Sequence, residues 1–135
     1  MPGKPGPLAS AGDIAARDLS AAADQIATAR PDTRIQYVHI NDLTVLGQSD
    51  TWPAALPDGN FARLFPASVP VLLATVTQAP AVRALLAARG ETARVRVAGY
   101  RDPGRPLPSA NLLELCGMSA AALTAQALLM LKEPR

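Results

Sequence analysis

The sequence holds a single cysteine, Cys116, and a single histidine, His39. One cysteine excludes an internal disulfide and fits a reducing compartment. One cysteine and one histidine also exclude a thiolate–imidazole metal cluster, leaving only carboxylate sites. Aromatic residues are scarce: Tyr37, Trp52, Phe61, Phe65 and Tyr100. They do not alternate with arginine, and no dense basic run is present. A nucleic-acid platform needs both cations for phosphates and aromatic faces for bases, so that function is not expected. No window approaches the roughly 18 consecutive apolar residues of a membrane span. The opening Met-Pro-Gly-Lys-Pro-Gly-Pro has no apolar core and is no signal peptide; residues 1–7 read as a flexible leader. No internal repeat is visible.

What remains is one domain of ordinary globular composition. Of the 135 residues, 49% are apolar and 18% charged, and the net charge is +2. That balance suffices for one core and argues against disorder. Arginine dominates lysine, which fits a genomic bias toward Ala, Arg, Pro and Gly. A cytoplasmic location is expected.

Leu8–Ala11 reads as a short first strand. Asp13 stands where an N-cap belongs, and Leu19, Ala22, Ala23 and Ile26 form one helical face ending at Pro31. Residues 34–40 read as a strand with Ile35 and Tyr37 on one face and Val38 and Ile40 on the other. Apolar groups on both faces predict a central parallel strand. Asp58 or Asn60 is placed to cap a short helix carrying Phe61, Leu64 and Phe65. Val69–Val76 reads as a buried strand, Pro80 as the start of a helix and Gly90 as its stop. Residues 93–98 alternate and predict a half-exposed edge strand. Residues 99–109 read as loop, and Ser119 caps a last helix to about Lys132. That helix is apolar nearly all round, which predicts burial on several sides or contact with a partner. The alternation of strands and helices predicts an α/β fold with helices on both faces of the sheet.

Six phrases in fixed order carry a resemblance. They are Ser10-Ala-Gly-Asp13, Pro31-Asp-Thr-Arg-Ile35, His39-Ile-Asn-Asp-Leu43, Phe61-Ala-Arg-Leu-Phe65, Val69-Pro-Val71 and Val95-Arg-Val-Ala-Gly-Tyr100. The chain from about residue 8 to residue 131 resembles the C-terminal domain of phosphoketolases, which is related to that of transketolases. Phosphoketolases are thiamine-diphosphate enzymes that split xylulose 5-phosphate or fructose 6-phosphate with inorganic phosphate. The resemblance implies a three-layer α/β/α sandwich over residues 8–135, with a mixed, mostly parallel sheet of about five strands. It implies an aldehyde-lyase role in carbohydrate metabolism for the full enzyme. Thiamine diphosphate and magnesium would be bound by other domains and none by this chain. The implied partner is a chain or domain carrying that thiamine-diphosphate site; a homodimer is a second expectation.

The departures matter as much. Family polar stretches are replaced by Val76-Thr-Gln-Ala-Pro80, by residues 87–93, by Pro106–Asn111 and by Ala120–Ala122. No catalytic residue is assigned.

Gly12-Asp13 followed by Asn41 has the spacing of a thiamine-diphosphate magnesium motif. Yet Ile14 stands where that motif has glycine, and Asp42 where it has a second asparagine. A helix start and a strand end explain the same residues. His39 reads as a structural histidine at a strand end, and Cys116 as a small buried apolar group. Tyr100 has the best claim to a functional position, because ligands gather beyond the carboxyl ends of strands in open α/β sheets. The other reading is a tight turn at Gly99 with Tyr100 packing. Arg101 and Arg105 beside them suit a phosphate or a partner's carboxylate. The candidate ligand or interface residues are thus Gly99, Tyr100, Arg101 and Arg105. Three functions stand: a detached, non-catalytic phosphoketolase domain; a degenerate interaction or dimerisation module; and a small independent enzyme using His39, Cys116 or Tyr100.

Overall fold

A computed structural model describes residues 6–67, 69–90 and 94–132. Residues 1–5 of the expected leader lie outside it, as do Ala93 of the expected edge strand and residues 133–135. The elements run β1 (Gly6–Ala11), α1 (Asp13–Ala29), β2 (Ile35–Ile40), a 3-10 turn (Leu43–Leu46), α2 (Asp58–Leu64), β3 (Val71–Thr75), α3 (Ala79–Ala87), β4 (Val95–Ala98), α4 (Ser109–Leu115) and α5 (Ala120–Lys132). The sheet order is β2-β1-β3-β4, and every pair is parallel. Parallel pairing requires a crossover between strands, and a helix lies in each one.

The chain moves one way from β1 to β2 with α1 over one face. It moves the other way through β3 and β4 with α2 and α3 over the opposite face. A constant crossover hand demands that exchange of faces. One core layer holds Leu8, Leu72 and Ala74 under α1 and α5, with Leu19, Ile26, Leu123 and Met130 buried against them. The other holds Ala9, Ile40, Val71 and Leu73 under α2 and α3, with Phe61, Phe65, Val82 and Leu86. The three-layer α/β/α arrangement is as expected.

Four expectations are corrected. The described sheet has four strands, all parallel, where a mixed sheet of about five was expected. The second strand, β2, lies at an edge, not the centre. Apolar groups on both faces report that the faces are covered; they say nothing about the lateral neighbour, and Gln36, Tyr37 and His39 are exposed. The central position falls to β1, whose Gly6-Pro7 opening extends into the stretch read as leader and pairs with Ile35 and Gln36. Finally, the loop expected over residues 99–109 ends one residue early, because Ser109 opens α4. The stretch Ser109–Lys132 reaches a mean hydropathy of 1.5, high enough by composition to cross a membrane. It is broken, however, by a turn at Gly117 into two helices, and α5 is packed against α1.

The caps also differ. Gly12, not Asp13, is the N-cap of α1, with φ 88° and ψ 157°, a conformation essentially reserved for glycine. Asp13 occupies the first turn, where its charge suits the positive end of the helix. Pro57 precedes α2, and neither Asp58 nor Asn60 caps it through a side chain. The expected Ser119 cap is present, its Oγ accepting from Ala122 N at 3.2 Å.

Candidate functional site

In the order β2-β1-β3-β4 the chain leaves β1 toward one side and returns to β3 on the other. The carboxyl ends of β1 and β3 therefore splay apart, and a ligand crevice belongs there. An open groove of about 450 Å³ lies at that point. Asp13, Ile14 and Arg17 of α1 form one wall; Val76 and Tyr100, following β3 and β4, lie beside them. Ser109, Leu112, Leu113, Cys116 and Met118, from α4 and the turn after it, complete it. The lining is mostly apolar. Ile14 is 60% exposed and Val76 46%, both large apolar side chains left facing water.

The position of Tyr100 is over-determined. Thr75, wholly buried at the end of β3, accepts Thr77 N on its Oγ1 at 3.1 Å. The Thr77 carbonyl in turn accepts Tyr100 N at 3.1 Å. Gly99 fits between: a Cβ there would stand 2.7 Å from both Thr77 O and Ala79 N. On the far side, Arg101 N donates to Cys116 Sγ at 3.2 Å, and the thiol donates back to Arg101 O at 3.7 Å. Cys116 is thus a buried tie between α4 and the loop after β4. Of the four candidates, Tyr100 lines the groove and Gly99 sets the turn that places it. Arg101 and Arg105 are exposed and are not among the lining residues.

His39 belongs to a second cluster that sequence reading missed. Ser10 of β1 is wholly buried, with its Oγ 2.8 Å from Tyr37 Oη and 2.9 Å from His39 Nδ1. Tyr37 Oη donates to Ala16 O at 3.2 Å. A consistent order of protons runs from His39 Nδ1 to Ser10, Ser10 to Tyr37 and Tyr37 to α1. His39 Nε2 faces Asp13 Oδ1 at 3.7 Å. Serine, histidine and aspartate stand in a line, but the serine has no exposure to any substrate. The cluster fastens edge strand β2 to β1 and α1. The signal was in principle legible: Ser10, Tyr37 and His39 share one face in the parallel register Leu8↔Tyr37, Ser10↔His39.

Two arginines that sequence reading passed over hold the connections of the opposite face. Arg89, with a side chain only 4% exposed, donates from Nε to the carbonyls of Leu46 (2.9 Å) and Gly47 (3.0 Å) and from Nη2 to those of Val45 and Leu56. Its guanidinium also lies 4.4 Å from the Phe61 ring centroid. Arg94 donates to the carbonyls of Phe65, Pro66 and Val69. Planar forks of five donors suit this work of gathering loop carbonyls.

Residues 7–133 match the family model of the XFP C-terminal domain, the C-terminal domain of phosphoketolases. Among curated proteins, a probable phosphoketolase of Bifidobacterium animalis subsp. lactis (strain AD011) is 33% identical over 121 residues, covering 90% of this chain and 14% of that protein. One of Pseudomonas putida (strain F1) is 32% identical over 97 residues, 72% of this chain and 12% of that protein. One of Rhodopseudomonas palustris (strain TIE-1) is 28% identical over 122 residues, 90% of this chain and 16% of that protein. The chain thus spans between 12% and 16% of the length of these relatives. With the family match over nearly its whole length, the chain belongs to the phosphoketolase (XFP) C-terminal domain family.

Proposed function

We propose that this chain is a non-catalytic, cytoplasmic scaffold of a phosphoketolase-type enzyme, and that it docks through the switch-point groove onto the chain or domains that bind thiamine diphosphate and magnesium. One observation carries the reading. The place where an open parallel sheet puts its chemistry is here lined by Ile14, Val76, Leu112, Leu113 and Met118. Ile14 and Val76, exposed together at such a place and backed by half-buried Leu112 and Leu113, favour a protein surface over a polar sugar phosphate.

The donors near Gly12-Asp13 do not fit a magnesium–diphosphate cradle. Asp13 lies beside His39, and Asp42 Oδ1 already accepts both Thr44 N and Thr44 Oγ1. A hard dication needs a fuller oxygen set than Asp13 and Asn41. In this reading the chain binds no cofactor. The aldehyde-lyase chemistry, with its carbanion stabilisation by thiamine diphosphate, belongs to the partner.

The test mixes the purified chain with a phosphoketolase lacking its C-terminal domain. Complex formation by light scattering, lost in the Ile14→Asp/Val76→Asp double variant, is expected. The chain alone, given phosphate and xylulose 5-phosphate, is expected to form no acetyl phosphate. Acetyl phosphate from the chain alone, or a complex indifferent to the double variant, would overturn the proposal. The dimerisation reading draws on one feature, the 57% exposed Leu129 on α5. It predicts a dimer without any partner.

A further inference from the structure

The protons of the Ser10–Tyr37–His39 cluster can be counted. Four contacts meet there. His39 Nδ1 lies 2.9 Å from Ser10 Oγ, and Ser10 Oγ lies 2.8 Å from Tyr37 Oη. Tyr37 Oη donates to Ala16 O at 3.2 Å, and His39 Nε2 faces Asp13 Oδ1 at 3.7 Å, within ion-pair range. A carbonyl closes one end of the chain and a carboxylate the other, and both are acceptors only. Each contact needs one proton. Ser10 and Tyr37 supply one each. His39 must supply two, and only the imidazolium carries two. The neutral ring falls one short whichever nitrogen keeps its proton. With the proton on Nδ1, the Nε2 lone pair faces the Asp13 carboxylate, acceptor against acceptor. With the proton on Nε2, Nδ1 accepts from Ser10, Ser10 accepts from Tyr37, and Ala16 O loses its side-chain donor. Ser10 is wholly buried, so its hydroxyl must find its partners inside the cluster.

We infer that His39 is the pin of a pH-sensitive clasp on edge strand β2. As imidazolium it closes all four contacts and holds the carboxyl end of β2 to β1 and to the first turn of α1. When its second proton passes to solvent, one contact is surrendered and the clasp loosens. Histidine changes charge between about pH 5 and 8. The stabilisation is therefore present in mildly acid solution and is lost as the solution turns alkaline. The groups around the ring permit this. The shallow groove over it, about 460 Å³, is lined by Asp13, Ala16, Arg17, Ser20, Tyr37 and His39. Its one acid is Asp13, and its other base, Arg17, is exposed and stands 3.8 Å from Asp18. β1 brings the uncharged Ser10, and beyond β2 the Asp42 carboxylate is taken up by Thr44. Asp13 also lines the switch-point groove, so the same proton decides whether the acid on that rim is paired or free.

His39 is the only histidine in the sequence, so ring-nitrogen NMR of the full chain reads its titration directly. The decisive variant is Tyr37→Phe, which removes no charge. Without Tyr37 Oη the buried Ser10 hydroxyl can donate only to Nδ1, so that nitrogen must hold a lone pair. The midpoint of the ring titration is expected to fall by about one pH unit, the cost of an orphaned buried donor, and the neutral ring to carry its proton on Nε2. Asp13→Asn should lower the midpoint by less, because that carboxylate is exposed. Ser10→Ala gives an independent reading if Tyr37→Phe folds poorly: Nδ1 then has no acceptor, and the midpoint should again fall. Urea unfolding reads the clasp itself. The stability difference between wild type and His39→Gln is expected to shrink between about pH 6 and about pH 8.5. A midpoint unmoved by Tyr37→Phe and Ser10→Ala, or lowered by Asp13→Asn alone, overturns the inference. So does a stability difference that stays level or grows over that range.

Discussion

At Arg89 one side chain gathers four carbonyls, those of Val45 and Leu46 in the 3-10 turn, Gly47 and Leu56, of which Val45 O also accepts Leu56 N. Shortening it leaves buried acceptors without a donor, so Arg89→Met should destabilise by about 3 kcal/mol or more. Arg89→Lys should restore little, because a point charge cannot reproduce the fork. Urea unfolding of the three proteins checks both. None of this was legible in the sequence, where Arg89 stands among alanines and looks like any solvated arginine. Gly99 is the opposite case. Its place between a strand and an aromatic marked it at once, and the structure supplies the reason, a backbone approach that excludes a Cβ. Gly99→Ala should cost about 1–3 kcal/mol and shift the Tyr100 resonances, since Thr77 and Ala79 must move. Wild-type stability in that variant would refute the close approach.

Among the elements, those with strong periodicity were readable and those with weak propensity were not. The buried face of α1 emerged from spacing alone, as Leu19, Ala22 and Ile26. β1 was read as a short strand from Leu8, but its start and its interior place were not, because Gly-Pro-Leu-Ala-Ser-Ala has little β preference and owes its place to being flanked on both sides. The last helix was read as apolar all round; only Leu123, Ala127 and Met130 are buried along it. Leu123→Ala should therefore cost about 2–5 kcal/mol. Leu129→Ala, on the exposed side, should change stability by less than about 0.5 kcal/mol. Equal losses would mean that α5 has another cover in solution. The 3-10 turn after β2 carries a pH signature. Hydrogen bonds from the Thr44 side chain and backbone hold the Asp42 carboxyl below its ordinary pKa. A carboxylate with a lowered folded pKa adds stability above its unfolded value, about 3.9, and loses it as pH falls through the folded one. The stability difference between wild type and Asp42→Ala should then persist at pH 6 and shrink as the solution is acidified below about pH 4. A difference that grows on acidification would reverse the assignment.

At the scale of the whole fold, two apolar layers share one sheet that is four strands wide among the described residues. Leu72 faces one layer and the adjacent Leu73 the other, so neither layer can lose its packing while the strand between them stays in place. Leu72→Ala and Leu73→Ala should each lower the midpoint of a single cooperative transition, coincident by circular dichroism and tryptophan fluorescence. Two separated transitions would show that the layers unfold independently. The three-layer architecture was legible from element order because crossover handedness leaves few alternatives. The groove was only half legible. Tyr100 could be placed at a strand end, but the wall opposite it depends on α4, whose seven residues give too short a period to detect.

The docking of α5 on α1 has a consequence for synthesis. The strand β1, which lies inside the sheet, is made more than a hundred residues before the helix that roofs one of its faces. Until Leu123 and Met130 emerge, Leu8, Leu19 and Leu72 lack the part of their cover that α5 supplies. Translation that stalls before α5 is complete should yield a chaperone client rather than a shorter folded domain.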